Sequence, residues 1–205
     1  MSGKRVIAVA GNMGSGKSSL TRFLCQQLGV EPFFEPNERN PYLDDFYADM
    51  RGFAFRSQIY FLIHRFRIHR EMEDRPGSVV QDRTIYEDAE IFAESLHRRR
   101  LIDARDYRTY RELYQTLTRE LKAPDLMIYL KCSTASLMKR ISRRGRKSER
   151  EVPRSYVDRL NTLYEEWFAR YDRSPTLVIP TDRMDYLTDL FGRHDLLKAI
   201  GEYLG

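Results

Sequence analysis

Residues 11–18 read Gly11-Asn12-Met13-Gly14-Ser15-Gly16-Lys17-Ser18 and fit the pattern G-x-x-x-x-G-K-[ST] without a mismatch. The preceding residues, 4–10, end in the apolar, partly β-branched run Val6-Ile7-Ala8-Val9-Ala10 and predict a buried strand, and a helix is predicted over 17–28, ending at Gly29. This strand–loop–helix context is the one that the pattern requires. Backbone N–H groups of such a loop surround phosphate oxygens, and the helix N-terminus adds positive potential. The stretch therefore predicts nucleoside triphosphate binding.

Two side chains at the end of this loop have chemistry of their own. Lys17 is expected to reach the β- and γ-phosphates, and the Ser18 hydroxyl is suited to ligate Mg²⁺. We assign residues 11–18 together with Ser19 to nucleotide binding. The alternative is a glycine-rich turn that binds nothing, and the agreement of motif and context disfavours it.

Working outward from the loop, short apolar runs alternate with amphipathic stretches. Strands are predicted at 4–10, 31–35, 78–82, 126–131 and 176–180. Helices are predicted at 17–28, 52–74, 86–98, 103–122, 134–144, 153–171 and 184–203. This alternation implies crossover connections, a parallel sheet and helices on both of its faces. We expect an α/β protein with a five-stranded parallel sheet, one domain over residues 1–205, and ligands at the carboxyl ends of the strands.

Composition excludes several classes of protein. Hydrophobic residues make up 41% of the 205 residues and aromatic residues 12%, which is enough for a core and excludes a disordered chain. No apolar run approaches the length of a membrane span. Two cysteines do not make a disulfide framework, so we expect a reducing cytoplasm. Arginines outnumber lysines by 28 to seven, and guanidinium groups suit phosphate oxygens. The four histidines lack the spacing of a zinc site.

Further motifs follow the loop in a fixed order. They are Phe34-Glu35-Pro36, residues 40–47 (NPYLDDFY), 53–62 (FAFRSQIYFL) and 81–88 (QDRTIYED), and an arginine-rich segment over about 140–150. With them the chain resembles the deoxyribonucleoside kinases, especially the short bacterial deoxyadenosine, deoxyguanosine and deoxycytidine kinases, over nearly its whole length. The resemblance implies a P-loop kinase fold and transfer of the γ-phosphoryl group of ATP, with Mg²⁺, to the 5′-hydroxyl of a deoxynucleoside in nucleoside salvage.

The resemblance also assigns the reacting groups. Glu35 corresponds to the general base that takes the proton of the 5′-hydroxyl, and Glu38, three residues on, competes for that role. Asp82 corresponds to the acidic residue that holds Mg²⁺ or its waters, and Arg83 to the arginine that contacts the 5′-oxygen or the arriving phosphate. The alternative is that Asp82 caps the helix after it and that Arg83 is a surface residue.

The base and the sugar are assigned to other positions. Gln58 and Arg65 lie two helical turns apart, on one face, and a glutamine amide can pair with adenine or cytosine and, when flipped, with guanine or thymine. By resemblance, Arg65 and Asp88 flank the base, and Phe92 stacks on it; Tyr47 and Glu149 bind the sugar 3′-hydroxyl. A carboxylate acceptor favours a base with an exocyclic amino group, and we expect deoxyadenosine ahead of deoxyguanosine or deoxycytidine. The alternative is that Phe92 belongs to the core and that Arg65 and Asp88 form a structural salt bridge.

The arginine-rich segment is interpreted as a lid. Arg140 and Arg144 are four residues apart, so they share a helical face and are able to clamp the transferring phosphate. By resemblance, Arg140, Arg144 and Arg146 contact phosphate, and Gly145 allows the lid to fold over. The residues after the fifth strand, including Asp185 and Tyr186, resemble the loop that holds the donor adenine.

Three other functions are weighed against this one. A thymidylate-type monophosphate kinase would need cations at the acceptor phosphate, where Glu35 would repel a dianion. A P-loop module without catalysis would bind nucleotide and transfer nothing. The basic run at 97–100 ends a predicted helix, where favourable charge is sufficient explanation, so we expect no nucleic-acid partner. The expected partners are a deoxynucleoside, a nucleoside triphosphate and, on resemblance alone, a second copy of the chain.

Overall fold

A computed structural model describes residues 3–34, 40–146, 152–182 and 190–204. The chain forms two compact units. The first comprises residues 1–34, 75–83 and 123–205, and the second residues 35–74 and 84–122. Among the residues described, no helix is both long and apolar enough to cross a membrane.

The elements within the described residues follow the predicted alternation. The strands are β1 Val6–Ala10, β2 Glu31–Phe33, β3 Val79–Asp82, β4 Leu126–Lys131 and β5 Thr176–Pro180. The helices are α1 Lys17–Leu28, α2 Leu43–Ala48, α3 Met50–Asp74, α4 Ile85–Glu87, α5 Glu94–Arg98, α6 Ala104–Arg119, α7 Thr134–Arg144, α8 Arg154–Phe168 and α9 Leu190–Leu204. A π-helical stretch, Asp88–Ala93, lies between α4 and α5.

The first unit is built on the sheet. All strand pairs are parallel, and the order is β2-β3-β1-β4-β5. Val9 of β1 lies opposite both Asp82 of β3 and Ile128 of β4. The carboxyl ends of β1 and β3 are therefore neighbours at one edge of the sheet, and the predicted five-stranded parallel sheet is confirmed.

Helices of this unit cover both faces of the sheet. One face packs against α1 and α9 through Ile7, Val9, Val80, Ile128, Ile179, Leu20, Leu24, Leu196 and Ile200. Because side chains alternate along a strand, Tyr129 points to the other face. There its ring centroid lies 4.5 Å from that of Phe168 in α8. Helix α7 packs against α8 through Leu137, Ile141 and Val157.

The second unit is helical and centred on α3. Helices α2 and α6 and the π-helical stretch all pack against α3, whose buried residues include Ala54, Leu62 and Met72. The helix predicted over 86–98 is present, with two differences of detail. The helix begins at Ile85, and its middle is π-helical. A π-turn has an i→i+5 hydrogen bond, so it accommodates more residues per turn than an α-helical turn.

The N-terminus of this helix carries a capping box. The Thr84 Oγ1 accepts from the Glu87 backbone N–H at 3.4 Å, and the Glu87 Oε2 accepts from the Thr84 N–H at 2.7 Å. Both side chains are buried. Two N–H groups that have no partner within the helix are therefore satisfied by side chains.

Removing the cap should destabilise the protein. We expect Thr84→Ala to lower the free energy of unfolding by about 1 kcal/mol, which for a chain of this size is about 2–4 °C in Tm. The matched control is Thr109→Ala, because the Thr109 hydroxyl is exposed and bonds only to Arg105 O of its own helix. Equal melting temperatures of the two variants would contradict the capping role.

Candidate active site

The phosphate loop, residues 11–18, has the backbone shape that its sequence predicts. Gly11, Gly14 and Gly16 have positive φ angles of 146°, 80° and 103°. A Cβ atom on Gly11 would lie 2.8 Å from Ser15 Oγ and 2.9 Å from Leu130 O, so no other residue fits there. The Ser15 N–H donates to Asn12 O at 3.1 Å and closes the loop. The loop leads directly into α1 at Lys17.

Lys17, Ser18 and Ser19 form the first turn of α1. The Lys17 Nζ folds back over the loop and donates to Gly11 O at 2.7 Å and Asn12 O at 3.2 Å. The lysine charge is therefore held at the phosphate loop. The turn has no side-chain cap, which leaves backbone N–H groups at the helix N-terminus as anion donors.

Ser18 and Asp82 meet at the end of β3. The Ser18 hydroxyl donates to Asp82 Oδ2 at 2.5 Å, and Asp82 is only 4% exposed. Thr84, not Asp82, caps the following helix, so the alternative role for Asp82 is wrong. A hydroxyl and a carboxylate are the oxygen ligands that Mg²⁺ uses beside phosphate oxygens and water. These two residues fit the ion, and no described cluster of three or more His, Cys, Asp or Glu side chains offers another metal site.

Arg83 has an unusual backbone conformation. Its φ is 70°, in the left-handed region that non-glycine residues seldom adopt. Its N–H donates to Val9 O at 3.0 Å, which continues the pairing of β3 with β1. Such a conformation costs about 1–3 kcal/mol and is concentrated at functional sites.

The structure places the lid arginines in two different settings. The Arg140 Nη1 donates to Ser15 O at 3.2 Å and to Thr181 Oγ1 at 3.1 Å, and its Nη2 donates to Thr181 O. This arginine thus connects the phosphate loop to the residue after β5. Arg144 and Arg146 are exposed. Gly145, at φ 67°, ends α7 through its N–H to Ile141 O.

The phosphate loop is also anchored from α8, by a residue that sequence reasoning missed. The Asn12 Nδ2 donates to Val157 O at 3.0 Å and to Asn161 Oδ1 at 3.3 Å. The Asn161 Nδ2 donates to Cys132 O at 3.2 Å. Asn161 is 149 residues from Asn12, so no local spacing could have indicated the contact.

The residues assigned to the base lie in the second unit. Gln58 and Arg65 are both buried on α3, as their spacing predicts. The Arg65 Nε lies 3.1 Å from Asp88 Oδ2, and the two side chains are 2% and 1% exposed. This ion pair agrees both with the predicted place of Arg65 and Asp88 beside the base and with the alternative of a structural salt bridge. The oxygens of a carboxylate paired with a guanidinium are able to accept further hydrogen bonds.

The other two described residues assigned to the nucleoside differ in exposure. Phe92 is half-buried in the π-helical stretch that also contains Asp88. Tyr47, on α2, is 47% exposed, and its ring centroid is 5.4 Å from that of Phe46. Glu35, Glu149, Asp185 and Tyr186 lie outside the described residues.

Comparison with known proteins identifies the family. A family model described as deoxynucleoside kinase matches residues 7–204. The chain belongs to the deoxynucleoside kinase family. The expected family, the P-loop kinase fold and the kinase class of enzyme are thereby confirmed.

Individual members of the deoxynucleoside kinase family match over most of their length. The chain is 38% identical to a deoxyadenosine/deoxycytidine kinase of Bacillus subtilis, over 90% of this chain and 86% of that protein. It is 36% identical to a deoxyguanosine kinase of Lactobacillus acidophilus, over 97% of this chain and 90% of that protein. The structure of a deoxyadenosine kinase from M. mycoides with bound dCTP superposes with a TM-score of 0.81 at 32% identity. The superposition covers 96% of this chain and 98% of that one. Because relatives with different base preferences are similarly close, overall similarity does not select a base.

Proposed function

We propose that this member of the deoxynucleoside kinase family transfers the γ-phosphoryl group of ATP to the 5′-hydroxyl of a deoxynucleoside, with deoxyadenosine preferred. The observation that carries the proposal is the phosphate loop with Lys17 folded over it and Ser18 bonded to Asp82. The family match supports the acceptor class. In the reaction, the bond between the γ-phosphorus and the ADP oxygen breaks, a bond to O5′ forms, and the 5′-hydroxyl proton passes to a base.

We assign the protein groups to this reaction as follows. Glu35 accepts the 5′-hydroxyl proton, and Arg83 faces the 5′-oxygen or the arriving phosphate. Lys17 and Arg144 stabilise negative charge on the transferring group, because fixed cations lower the energy of a phosphoryl-transfer transition state. Arg140 donates hydrogen bonds to Ser15 and Thr181. It therefore supports the shape of the phosphate loop and also adds positive charge beside it. Arg146, Asp185 and Tyr186 complete the donor site.

Mg²⁺ fits beside the phosphate loop. Ser18 and Asp82 would hold it, directly or through water, and when bound the ion neutralises phosphate charge. The Ser18–Asp82 hydrogen bond keeps both oxygens on the same side of the loop. The first turn of α1 thereby presents a hydroxyl beside a carboxylate that is almost completely buried.

The base preference follows from the chemistry of the second unit. The Asp88 carboxylate, held by Arg65, accepts a hydrogen bond from an exocyclic amino group, and a Gln58 amide can both accept from N6 and donate to a ring nitrogen of adenine. Phe92 stacks on the base, and Tyr47 and Glu149 bind the 3′-hydroxyl. Cytosine and guanine also carry amino groups, so we expect weaker activity on their deoxynucleosides.

A direct test measures phosphate transfer from MgATP to the four deoxynucleosides and, in parallel, to their monophosphates. We expect transfer to the nucleosides, with the highest kcat/KM for deoxyadenosine and the lowest for thymidine, which lacks an amino group. Transfer confined to a monophosphate would move the chain to the thymidylate-type kinases. ATP binding without transfer to any acceptor would leave a nucleotide-binding module.

The setting of the enzyme is a further part of the proposal. We place it in the cytoplasm as a homodimer, and the dimer rests on the family resemblance. Cys25 and Cys132 are both free thiols in the structure, and free thiols suit a reducing compartment.

A further inference from the structure

The amide groups of Asn12 and Asn161 form a bridge between the phosphate loop and helix α8. Asn12, which is almost completely buried, uses both ends of its amide. Its Oδ1 accepts from the Met13 N–H at 2.8 Å, while its Nδ2 donates to Val157 O and Asn161 Oδ1. Asn161 then donates to Cys132 O, just after β4. The loop is thus tied through two side chains to a helix and to the sheet.

Such an anchor matters because the loop has little stiffness of its own. Three of its eight residues are glycines with positive φ, and glycine restricts the backbone least. Phosphate binding requires the loop N–H groups to converge on one point. A loop that visits other shapes binds its ligand more weakly, in proportion to the fraction of time it spends in the competent shape.

We propose that Asn161 is a positioning residue that holds the phosphate loop in its nucleotide-binding shape through Asn12, and so sets the affinity for the donor nucleotide. The inference rests on the proposed function of the loop as the ATP site. Asn161 accepts a hydrogen bond from Asn12 and donates one to Cys132 O. An asparagine amide is suited to this position because it carries both an acceptor and a donor at the required length.

A purely structural role of Asn161 predicts something different. Helix α8 also packs through Val157 against Leu137 and Ile141 of α7. If Asn161 contributed only to this packing, its replacement would lower the melting temperature without changing the affinity for MgATP. The affinity for MgATP, compared with the KM for the deoxynucleoside, therefore separates the two roles.

The experiment uses graded replacements of the amide. Asn161→Leu keeps the approximate shape and removes both hydrogen bonds, whereas Asn161→Asp still accepts from Asn12 and no longer donates to Cys132 O. Thr162→Ala is the matched control, because Thr162 is the next residue of α8, is exposed and bonds only to Asp158 O. The dissociation constant of MgATP is measured by calorimetry, and KM and kcat by transfer to deoxyadenosine.

We expect Asn161→Leu to raise the dissociation constant and the KM of MgATP about tenfold, since one or two hydrogen bonds are lost. Asn161→Asp should raise them less, and Thr162→Ala should leave them unchanged. The KM for deoxyadenosine should stay within a factor of about two in every variant. If Asn161→Leu does not fold, Asn161→Asp alone decides, because it must then show a weakened MgATP affinity.

A double-mutant cycle tests the route through Asn12. If Asn161 acts through Asn12, Asn12→Ala combined with Asn161→Leu should weaken MgATP binding no more than the stronger single variant. Independent, multiplying effects, or an unchanged MgATP affinity in Asn161→Leu, would overturn the inference. Because calorimetry needs no phosphoryl transfer, a wild-type protein that binds MgATP and transfers nothing would refute the proposed kinase reaction and still leave this inference tested.

Discussion

Replacing Glu35 by glutamine should lower kcat for deoxyadenosine by about 10²–10⁴-fold, the usual contribution of a general base. The substitution keeps the size of the side chain and removes its ability to accept a proton. Phe33, the last residue of β2, is paired with Gln81, so the chain leaves β2 at the sheet edge where Asp82 and Arg83 lie. The dissociation constant of MgATP should stay within a factor of about two, because the proposed role of Glu35 concerns only the acceptor.

Glu38→Gln is the matched control for this prediction. It makes the same chemical change three residues further along the chain, and we expect it to retain nearly all of kcat. Measurement of kcat, of both KM values and of the pH–rate profile distinguishes the two carboxylates. A large loss in Glu38→Gln with an active Glu35→Gln would transfer the role of base to Glu38.

Among the single replacements predicted, Asp88→Ala should lower the free energy of unfolding most. It should also lower the activity. Arg65 and Asp88 form an ion pair that is almost completely buried, so removing the carboxylate takes one negatively charged partner away from a buried guanidinium. We expect the free energy of unfolding, measured in urea, to fall by about 3–5 kcal/mol. We also expect kcat/KM for deoxyadenosine to fall about 10–100-fold, because the variant lacks the charge-assisted hydrogen bond that we propose between Asp88 and the base.

The double variant Arg65→Met with Asp88→Leu separates stability from base recognition. Replacing a buried ion pair by apolar residues of similar volume is often neutral for stability, so the double variant should regain most of the lost stability and none of the lost activity. Activity that returns with stability would show that the pair is structural only. Asp158→Ala is the control, because its ion pair with Arg154 is exposed and contributes less than about 0.5 kcal/mol.

The parts of the fold that were predictable are those that local chemistry specifies. Helix α1 has the predicted limits because the phosphate motif fixes its start and Gly29, at φ 66°, fixes its end. The five strands of the described residues are short runs that each precede a helical stretch, and all but β2 contain β-branched residues, so their existence and parallel arrangement followed from the sequence. Ser18 and Asp82 were assigned to the same ion from their motifs, and the structure places them in contact.

What the sequence did not reveal depends on contacts between distant residues. Helix α2 has only six residues and follows a proline- and asparagine-containing turn, so it carries too few residues for a periodic pattern. The π-helical stretch has the same composition as an α-helix and differs only in its hydrogen bonds. The contacts of Arg140 with Thr181 and of Asn161 with Asn12 join elements far apart in the chain, and spacing rules address only neighbours on one element.

The positive φ of Arg83 means that the residue best suited to the backbone at this position differs from the residue suited to the proposed chemistry. Glycine adopts this conformation without steric penalty, so selection for a high melting temperature alone would favour glycine at this position. In this chain an arginine occupies the position despite the strain in its backbone, which agrees with the proposed contact of Arg83 with the 5′-oxygen or the arriving phosphate. Engineering that ranks variants by melting temperature would therefore favour a replacement that removes the arginine proposed to face the transferring group. Position 83 should be held constant in any such library.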